Sequence, residues 1–300
     1  MRPSMKILCT GANGQLGHEI KRVALKRKIS VEGLTRQELD ITQPDSIKAA
    51  ILSCNPAVVI NCAAYTAVDK AENEPELAFA VNQDGPTYLA KVCSDHDIAL
   101  IHISTDYVYD GSKNSAYLES DSIAPINVYG KSKAAGESKI VLGLKKHIII
   151  RTSWLYGCHG NNFVKTMLRL GREQEQIGVV DDQFGCPTHA ADLAEVALTV
   201  ATIISKGNFS GWGIYHFASR GIVSWYEFAK AIFEIAGKSI DLKLTELKPL
   251  TTDQYPTVAV RPAYSVLSVK KIRQEFGIDP PFYLNSLKEM LSRLLDRVHP

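Results

Sequence analysis

Through the first half of the chain, apolar residues cluster in short runs, each followed by a stretch long enough for a helix. The runs are Met5 to Thr10, Val31 to Leu34, Ala57 to Asn61, Ala99 to Ser104 and His147 to Arg151. Between them, Glu19 to Arg27, Ser46 to Leu52 with its Pro44-Asp45 start signal, and Glu76 to His96 carry helical character. Buried strands alternating with helices predict an α/β fold built on a doubly wound parallel sheet of the Rossmann type.

After Arg151 the rhythm loosens. Gly178 to Pro187 and Leu250 to Tyr264 are rich in Gly, Pro and aromatic residues and read as loops and short elements, with helical patterns at Ala190 to Ile204, Trp225 to Ala236 and Leu284 to Val298. Residues 1–155 are expected to form a dinucleotide-binding domain to which part of 189–218 returns. The segments 156–188 and 219–300 are expected to form a smaller, interleaved substrate-binding lobe. A length of 300 residues allows this arrangement.

Hydrophobic residues at 45% and charged residues at 22% match ordinary globular proteins. A net charge of +2 from 34 basic and 32 acidic residues gives no footprint for nucleic acid. No apolar run approaches the ~20 residues of a membrane span, and Met1 to Ser4 lead straight into a strand rather than a signal peptide. The six cysteines are dispersed, without the close pairs that clip zinc, and suit a reducing cytoplasm. A homodimer is left open.

Thr10 to Gly17 reads TGANGQLG, between the first strand and the first helix. A dinucleotide pyrophosphate rests on helix N-terminal amides at such a turn, which makes Gly11, Asn13, Gly14, Gln15, Leu16 and Gly17 candidate cofactor contacts. At the end of the second strand, where NAD-binding folds place an acidic residue, the sequence is Leu34-Thr35-Arg36-Gln37. Arg36 is suited to a 2′-phosphate, so NADPH is slightly favoured over NADH; the plainer alternative is a solvated arginine.

Tyr129 and Lys133 form YxxxK, which puts phenol and ammonium on one helix face. A cation there is expected to lower the tyrosine below its ordinary value of about 10, making it a better acid. Ser104-Thr105-Asp106-Tyr107 follows a strand at its carboxyl end, where open α/β sheets bind ligands, and a hydroxyl there suits a substrate carbonyl. Turn capping is the alternative for Thr105 taken alone.

Beyond these motifs, the stretches Asn61 to Glu72 (NCAAYTAVDKAE), Arg151 to Trp154 (RTSW), Gly160 to Phe163 (GNNF), Asp182 to Thr188 (DQFGCPT) and Arg261-Pro262 complete a pattern spanning nearly the whole chain. The sequence resembles the dTDP-4-dehydrorhamnose reductase family, of the extended short-chain dehydrogenase type. The resemblance implies hydride transfer from NADPH or NADH to C4 of a dTDP-linked 4-keto-6-deoxy sugar, giving dTDP-L-rhamnose or a close relative. It implies Tyr129 as proton donor, Lys133 on the nicotinamide ribose and Thr105 at the keto oxygen. Asp40, Ile41, Ala63, Ala64, Tyr65 and Thr66 would join the cofactor site; Asp106, Trp154, Asn162, Phe163, Gln183 and Arg261 would meet the nucleotide sugar.

Plainer readings stand beside these. Trp154 could be core, Asp40 a helix cap, Asn162 and Phe163 loop packing, and Arg261 a surface cation. Some members of the family hold magnesium between subunits through acidic residues, and Glu19 is a candidate ligand. No acidic pair near Ala190 to Glu195 supports it, so no metal is expected. Two rival functions share the motifs: a non-catalytic regulatory subunit like the beta subunit of methionine adenosyltransferase, and a reductase of a different nucleotide sugar.

Overall fold

A computed structural model describes residues 5–296. Met1 to Ser4, and the expected helix end at Val298, lie outside the described residues.

The chain opens with strand β1 (Lys6–Thr10), helix α1 (Gln15–Arg27), β2 (Ser30–Leu34), α2 (Pro44–Cys54) and β3 (Val58–Asn61). In α1, Leu16, Ile20, Val23 and Ala24 are buried, the i, i+4, i+7, i+8 stripe of a helix lying on a sheet. It stops at Lys28, whose left-handed backbone caps the last carbonyls behind Lys26 and Arg27. Next come α3 (Val68–Ala71), α4 (Pro75–Phe79), a π-helical turn at Ala80–Asp84, α5 (Gly85–Asp95) and β4 (Ala99–Thr105). Where periodicity predicts one helix over Glu76 to His96, the observed helix is interrupted by that wider turn.

The rest of the chain forms α6 (Val128–Gly143), β5 (His147–Thr152), β6 (Leu155–Tyr156), α7 (Phe163–Glu173), β7 (Gln176–Val180), β8 (Phe184–Gly185) and β9 (Thr188–His189). It ends with α8 (Ala190–Ile204), β10 (Gly213–His216), β11 (Val223–Ser224), α9 (Trp225–Ala236), β12 (Glu246–Leu250), α10 (Lys270–Phe276) and α11 (Tyr283–Leu295). The loop expected from Gly178 therefore begins inside β7, which pairs in parallel with β12.

Six strands form one sheet in the order β10-β5-β4-β3-β1-β2, every pair parallel. The order reverses at β1: the chain goes to β2 on one side and returns to β3 on the other. That reversal opens a crevice beyond the carboxyl ends of β1 and β3, the usual ligand position in such sheets. Helix α8 is buried on nearly all sides and packs with α1 in the core on one face of the sheet. A second core covers the other face through Leu39, Ile47, Leu89 and Ile140. A third, away from the sheet, gathers Val164, Met167, Phe228, Ile232, Leu287 and Met290 from α7, α9 and α11.

Candidate active site

The glycine turn after β1 separates three roles. Gly11 takes a left-handed backbone with φ +65°, and a Cβ on it would sit 2.8 Å from the Ala63 nitrogen. A Cβ on Gly17 would lie 2.4 Å from the Gly11 oxygen, so this glycine lets α1 pack on the turn. Gly14 is the N-cap of α1 and, with Gln15 and Leu16, lines the main cleft. The first turn of α1 has neither a side-chain cap nor an acidic residue. Its leading N–H groups are thus suited to an anion.

The cleft has a volume of about 1070 Å³. Of the residues singled out from the sequence, Gly14, Gln15, Leu16, Ala64, Thr66, Thr105, Asp106, Tyr129, Lys133, Trp154, Phe163, Gln183 and Arg261 line it. Gly11, Asn13, Gly17, Arg36, Asp40, Ile41, Ala63, Tyr65 and Asn162 are not among its lining residues. Asn162 caps α7 by accepting from the Lys165 N–H, and its amide donates to Gln15 Oε1 at 2.7 Å. That bond ties α7 to the glycine turn. Arg36 is exposed and pairs loosely with Asp40 at 3.5 Å, so a carboxylate does approach the end of the β2 edge. Asp40 also accepts from the N–H and hydroxyl of Thr42 in a local turn, but it does not cap α2, which starts at Pro44 with Gln43 as its N-cap and no side-chain cap.

Thr105 ends β4, lines the cleft and accepts from the Tyr107 N–H, the turn-capping contact that was its alternative reading. Its hydroxyl donates to Asp106 Oδ1 at 3.0 Å, while Asp106 Oδ2 is buried without a hydrogen-bond partner. Burial pushes the Asp106 carboxyl up to about 6, against the pull of Ser265 and Thr105. Tyr129 and Lys133 share a face of α6, whose N-terminus is capped by Asn127 and by Glu72, which accepts from the Val128 N–H.

The expected lowering of the tyrosine does not occur. Burial raises Tyr129 to about 12, helped by Asp106 and opposed by Thr105. The reason is the direction of Lys133: its Nζ donates to the Ile103 carbonyl at 2.7 Å and meets His102 at 3.2 Å. Burial pulls Lys133 itself down to about 8, against Glu137 and Cys62.

Also lining the cleft, Trp154 takes φ +47° and stacks face to face on Trp225, with centroids 3.5 Å apart. Phe163 leans on Trp225 at 4.6 Å. Arg261 makes a bidentate pair with Asp69 at 2.7 and 3.0 Å and also donates to Ala259 O. Gln183 donates to Thr252 Oγ1.

Trp225, Asp69, Asn82 and His102 escape sequence reasoning. Asn82 lies in the π turn, where its amide accepts from the Tyr65 N–H and donates to Tyr65 O and Ser132 Oγ, joining the β3 loop to α6. No periodic signal marks it, since an i→i+5 turn leaves no repeat. Asp69 and Glu72 do sit inside the quoted VDKAE stretch, the one signal that pointed near them.

Glu19 is fully buried and accepts from Arg22 at 2.6 Å and Arg293 at 2.9 Å. Burial pushes its carboxyl up, but the two guanidinium groups outweigh that and hold it below its ordinary range. A carboxylate facing two cations does not fit a metal ligand.

A phenol and an amine one turn apart on a helix flanking the switch point of a doubly wound sheet define the extended short-chain dehydrogenase and reductase class. Among known proteins, the family model described as the RmlD substrate binding domain matches residues 5–296. The chain is 46% identical over 290 residues to the dTDP-4-dehydrorhamnose reductase of Aggregatibacter actinomycetemcomitans, covering 95% of this chain and 98% of that one. It is 40% identical to the protein of that name from Escherichia coli K12, covering 97% and 98%. The solved dTDP-4-dehydrorhamnose reductase of Bacillus anthracis, in complex with NADP, superposes with a TM-score of 0.90 at 37% identity, covering 97% of this chain and all of that one. The chain belongs to the dTDP-4-dehydrorhamnose reductase family.

Proposed function

We propose that the protein is an NAD(P)H-dependent oxidoreductase that reduces the C4 keto group of a dTDP-linked 6-deoxy-4-keto sugar, converting dTDP-4-dehydro-L-rhamnose to dTDP-L-rhamnose. The observation that carries the reading is the convergence of Thr105, Asp106, Tyr129 and Lys133 in one cleft beside the uncapped start of α1. The dinucleotide, when bound, supplies the hydride.

Tyr129, raised in pKa and therefore protonated, gives its hydroxyl hydrogen to the developing O4 alkoxide and recovers it from solvent. Thr105 steadies the keto oxygen, and Lys133 holds the nicotinamide ribose. Gly11, Asn13, Gly14, Gln15, Leu16 and Gly17 form the pyrophosphate turn, and Asp40, Ile41 and Ala63 to Thr66 complete the cofactor side. Arg36 reaches toward a 2′-phosphate, which favours NADPH modestly.

On the sugar side, Asp106 offers an unpartnered buried oxygen to a sugar hydroxyl, and Trp154 with Phe163 offers an apolar wall. Asn162 and Gln183 hold the loops that shape this wall. Arg261 faces the diphosphate, with Asp69 as its resting partner. We assign the dinucleotide to residues 1–155 with 189–218, and the sugar to 156–188 and 219–300. The separate core of α7, α9 and α11 supports that division, while Ile272 and Phe276 of α10 join the sheet core.

Among the described residues no helix is long and apolar enough to cross a membrane, and none of the six cysteines there is in a disulfide, which suits a reducing compartment. One chain holds every residue assigned here, and sedimentation decides between a monomer and a homodimer.

The test is oxidation of NADPH by the purified protein with a panel of keto-sugar nucleotides. Turnover fastest with dTDP-4-dehydro-L-rhamnose is expected. Turnover with none of them would overturn the reading in favour of a regulatory subunit, and preference for another sugar would overturn the substrate.

A further inference from the structure

Three segments distant in sequence are tied together beside the cleft. Arg261 belongs to the irregular stretch after β12, Asp69 to α3 and Asn127 to the N-cap of α6. Asp69 Oδ2 accepts from Arg261 Nη2 at 2.7 Å. Asp69 Oδ1 accepts from Arg261 Nη1 at 3.0 Å and from the Ala259 N–H at 3.1 Å. Asn127 Nδ2 donates to Val260 O at 2.8 Å, and Glu72 at the end of α3 accepts from the Val128 N–H. The 257–261 segment, α3 and the start of α6 therefore hold one another.

A guanidinium carries five N–H hydrogens in one plane. Asp69 takes one from each terminal nitrogen, and Ala259 O takes the other hydrogen of Nη1 at 2.8 Å. What remains is Nε–H and the second hydrogen of Nη2, two parallel donors along one edge. Among the described residues that edge has no partner. Two such donors match two oxygens of a phosphate. Arg261 and Asp69 both line the cleft, with side chains 21% and 44% exposed, so a ligand there can reach the pair.

The pair is held in more ways than one ion contact. The Arg261 hydrogen bond outweighs burial and, with the Ala259 N–H, keeps the Asp69 carboxyl below its ordinary range and ionised at neutral pH. Its two oxygens fix the plane of a guanidinium that would otherwise turn on a long flexible stem. A donor fixed beforehand loses less entropy when its ligand arrives. Because the carboxylate also offsets the arginine charge, the free edge acts through direction more than through bulk attraction.

We propose that Asp69 is a positioning residue for Arg261: it grips one edge of the guanidinium so that the Nε and Nη2 hydrogens of the other edge form a two-pronged donor for a phosphate of the nucleotide-linked substrate. The assignment rests on the reading above that Arg261 faces the diphosphate, and adds that the Asp69 pair stays closed when it does.

Calorimetric titration with dTDP and UDP tests this, with the matching nucleosides and NADPH as controls. Asp69→Asn keeps an oxygen for Ala259 and Nη1 but sets an amide N–H against Nη2. It should weaken whichever diphosphate the unaltered protein binds by about tenfold, as the loss of one charge-assisted contact does, and leave nucleoside and NADPH affinities unchanged. Arg261→Lys keeps the charge but not the fork and should weaken the diphosphate at least as much. The double variant should bind no more weakly than Arg261→Lys alone, since both residues act through one contact. Tighter diphosphate binding in Asp69→Asn would show a carboxylate that competes with the ligand. Equal losses for nucleoside and NADPH would show a general distortion, and losses that multiply in the double variant would show independent action. Each of these would overturn the proposal. Should Asp69→Asn not fold, ¹⁵N-arginine spectra of the unaltered protein decide. The diphosphate, but not its nucleoside, should shift the Nε–H signal that Arg261→Lys lacks, and an unmoved signal would overturn the proposal. None of these measurements needs turnover. A protein that binds a nucleoside diphosphate in this way yet reduces no keto sugar would refute the reductase reading and leave the Asp69 role standing. One that reduces a keto-sugar nucleotide without the Asp69→Asn effect would do the reverse.

Discussion

At the scale of single residues, the chemistry turns on where protons sit. On the proposed function Tyr129 gives its hydrogen to the sugar, and its raised pKa keeps that hydrogen in place at neutral pH. Tyr129→Phe removes only the hydroxyl, so turnover should fall by ~10²–10⁴-fold while the NADPH dissociation constant stays within about twofold. Parallel initial-rate and fluorescence titrations check this, and unchanged turnover would end the assignment. Arg36 presents a subtler case. Its guanidinium is exposed and only loosely paired with Asp40, so it is free to swing toward a phosphate. Arg36→Ala should weaken NADPH and spare NADH, by at most about 1.5–3 kcal/mol for a charge-assisted contact and less at so exposed a site. Equal loss for both cofactors would show that Arg36 does not read the 2′-phosphate.

At the scale of elements, the site depends on α6 lying close against the π turn. A Cβ on Gly136 would meet the Asn82 carbonyl at 2.1 Å, and neither backbone can yield without tilting the helix that carries Tyr129 and Lys133. Gly136→Ala should therefore destabilise the protein by about 1–3 kcal/mol, as overpacking does, despite alanine's better helix propensity. It should also lower turnover more than the loss of folded protein explains. Urea unfolding followed by a rate per folded molecule separates the two, and a stabilised, fully active variant would refute the argument. The same helix is anchored to β5 by the buried Glu137–Arg151 pair, which Tyr109 extends by accepting from Arg151 at 2.6 Å. Glu137 lies one turn beyond Lys133, so the Tyr129–Lys133 face and the anchor occupy successive turns of one helix.

For the whole molecule, buried ionisable groups set the response to acid. His102, His189 and His216 are wholly buried, and burial holds their rings low, His189 at about 4 and His216 at about 3. As pH falls through about 6.5 the unfolded chain protonates these rings while the folded one does not, so stability declines. Asp106 and Asp192 act oppositely: burial raises both to about 6, and between roughly pH 4 and 6 the folded chain keeps protons that the unfolded chain releases. His147 is also held low by burial, and carboxylates such as Glu19 and Asp69 are held low by their partners, so the groups that favour proton uptake by the unfolded chain outnumber the two raised carboxyls and stability falls as pH falls in that window. Asp192→Asn removes one opposing group and should steepen that loss. Chemical denaturation at several pH values measures it, and an unchanged slope in the variant would contradict this accounting.

The amino-acid sequence alone determined the first five strands of the sheet and their alternation with helices, the glycine turn, the shared helix face of Tyr129 and Lys133, and the family; the sixth strand, β10, and the break within 76–96 it did not. These features are written in short-range spacing: period 2 or 3.6, glycine where a turn demands it, and i, i+4 on a helix. Tertiary structure alone decided the rest. Arg261 meets Asp69 across 192 residues of sequence, Trp154 finds Trp225, and Asn82 reaches both Tyr65 and Ser132. It also buried Tyr129 and turned Lys133 toward His102, and burial reversed the expected shift of the tyrosine. Such contacts join positions with no fixed spacing, and a group's charge depends on the burial and donors that only the folded neighbourhood supplies.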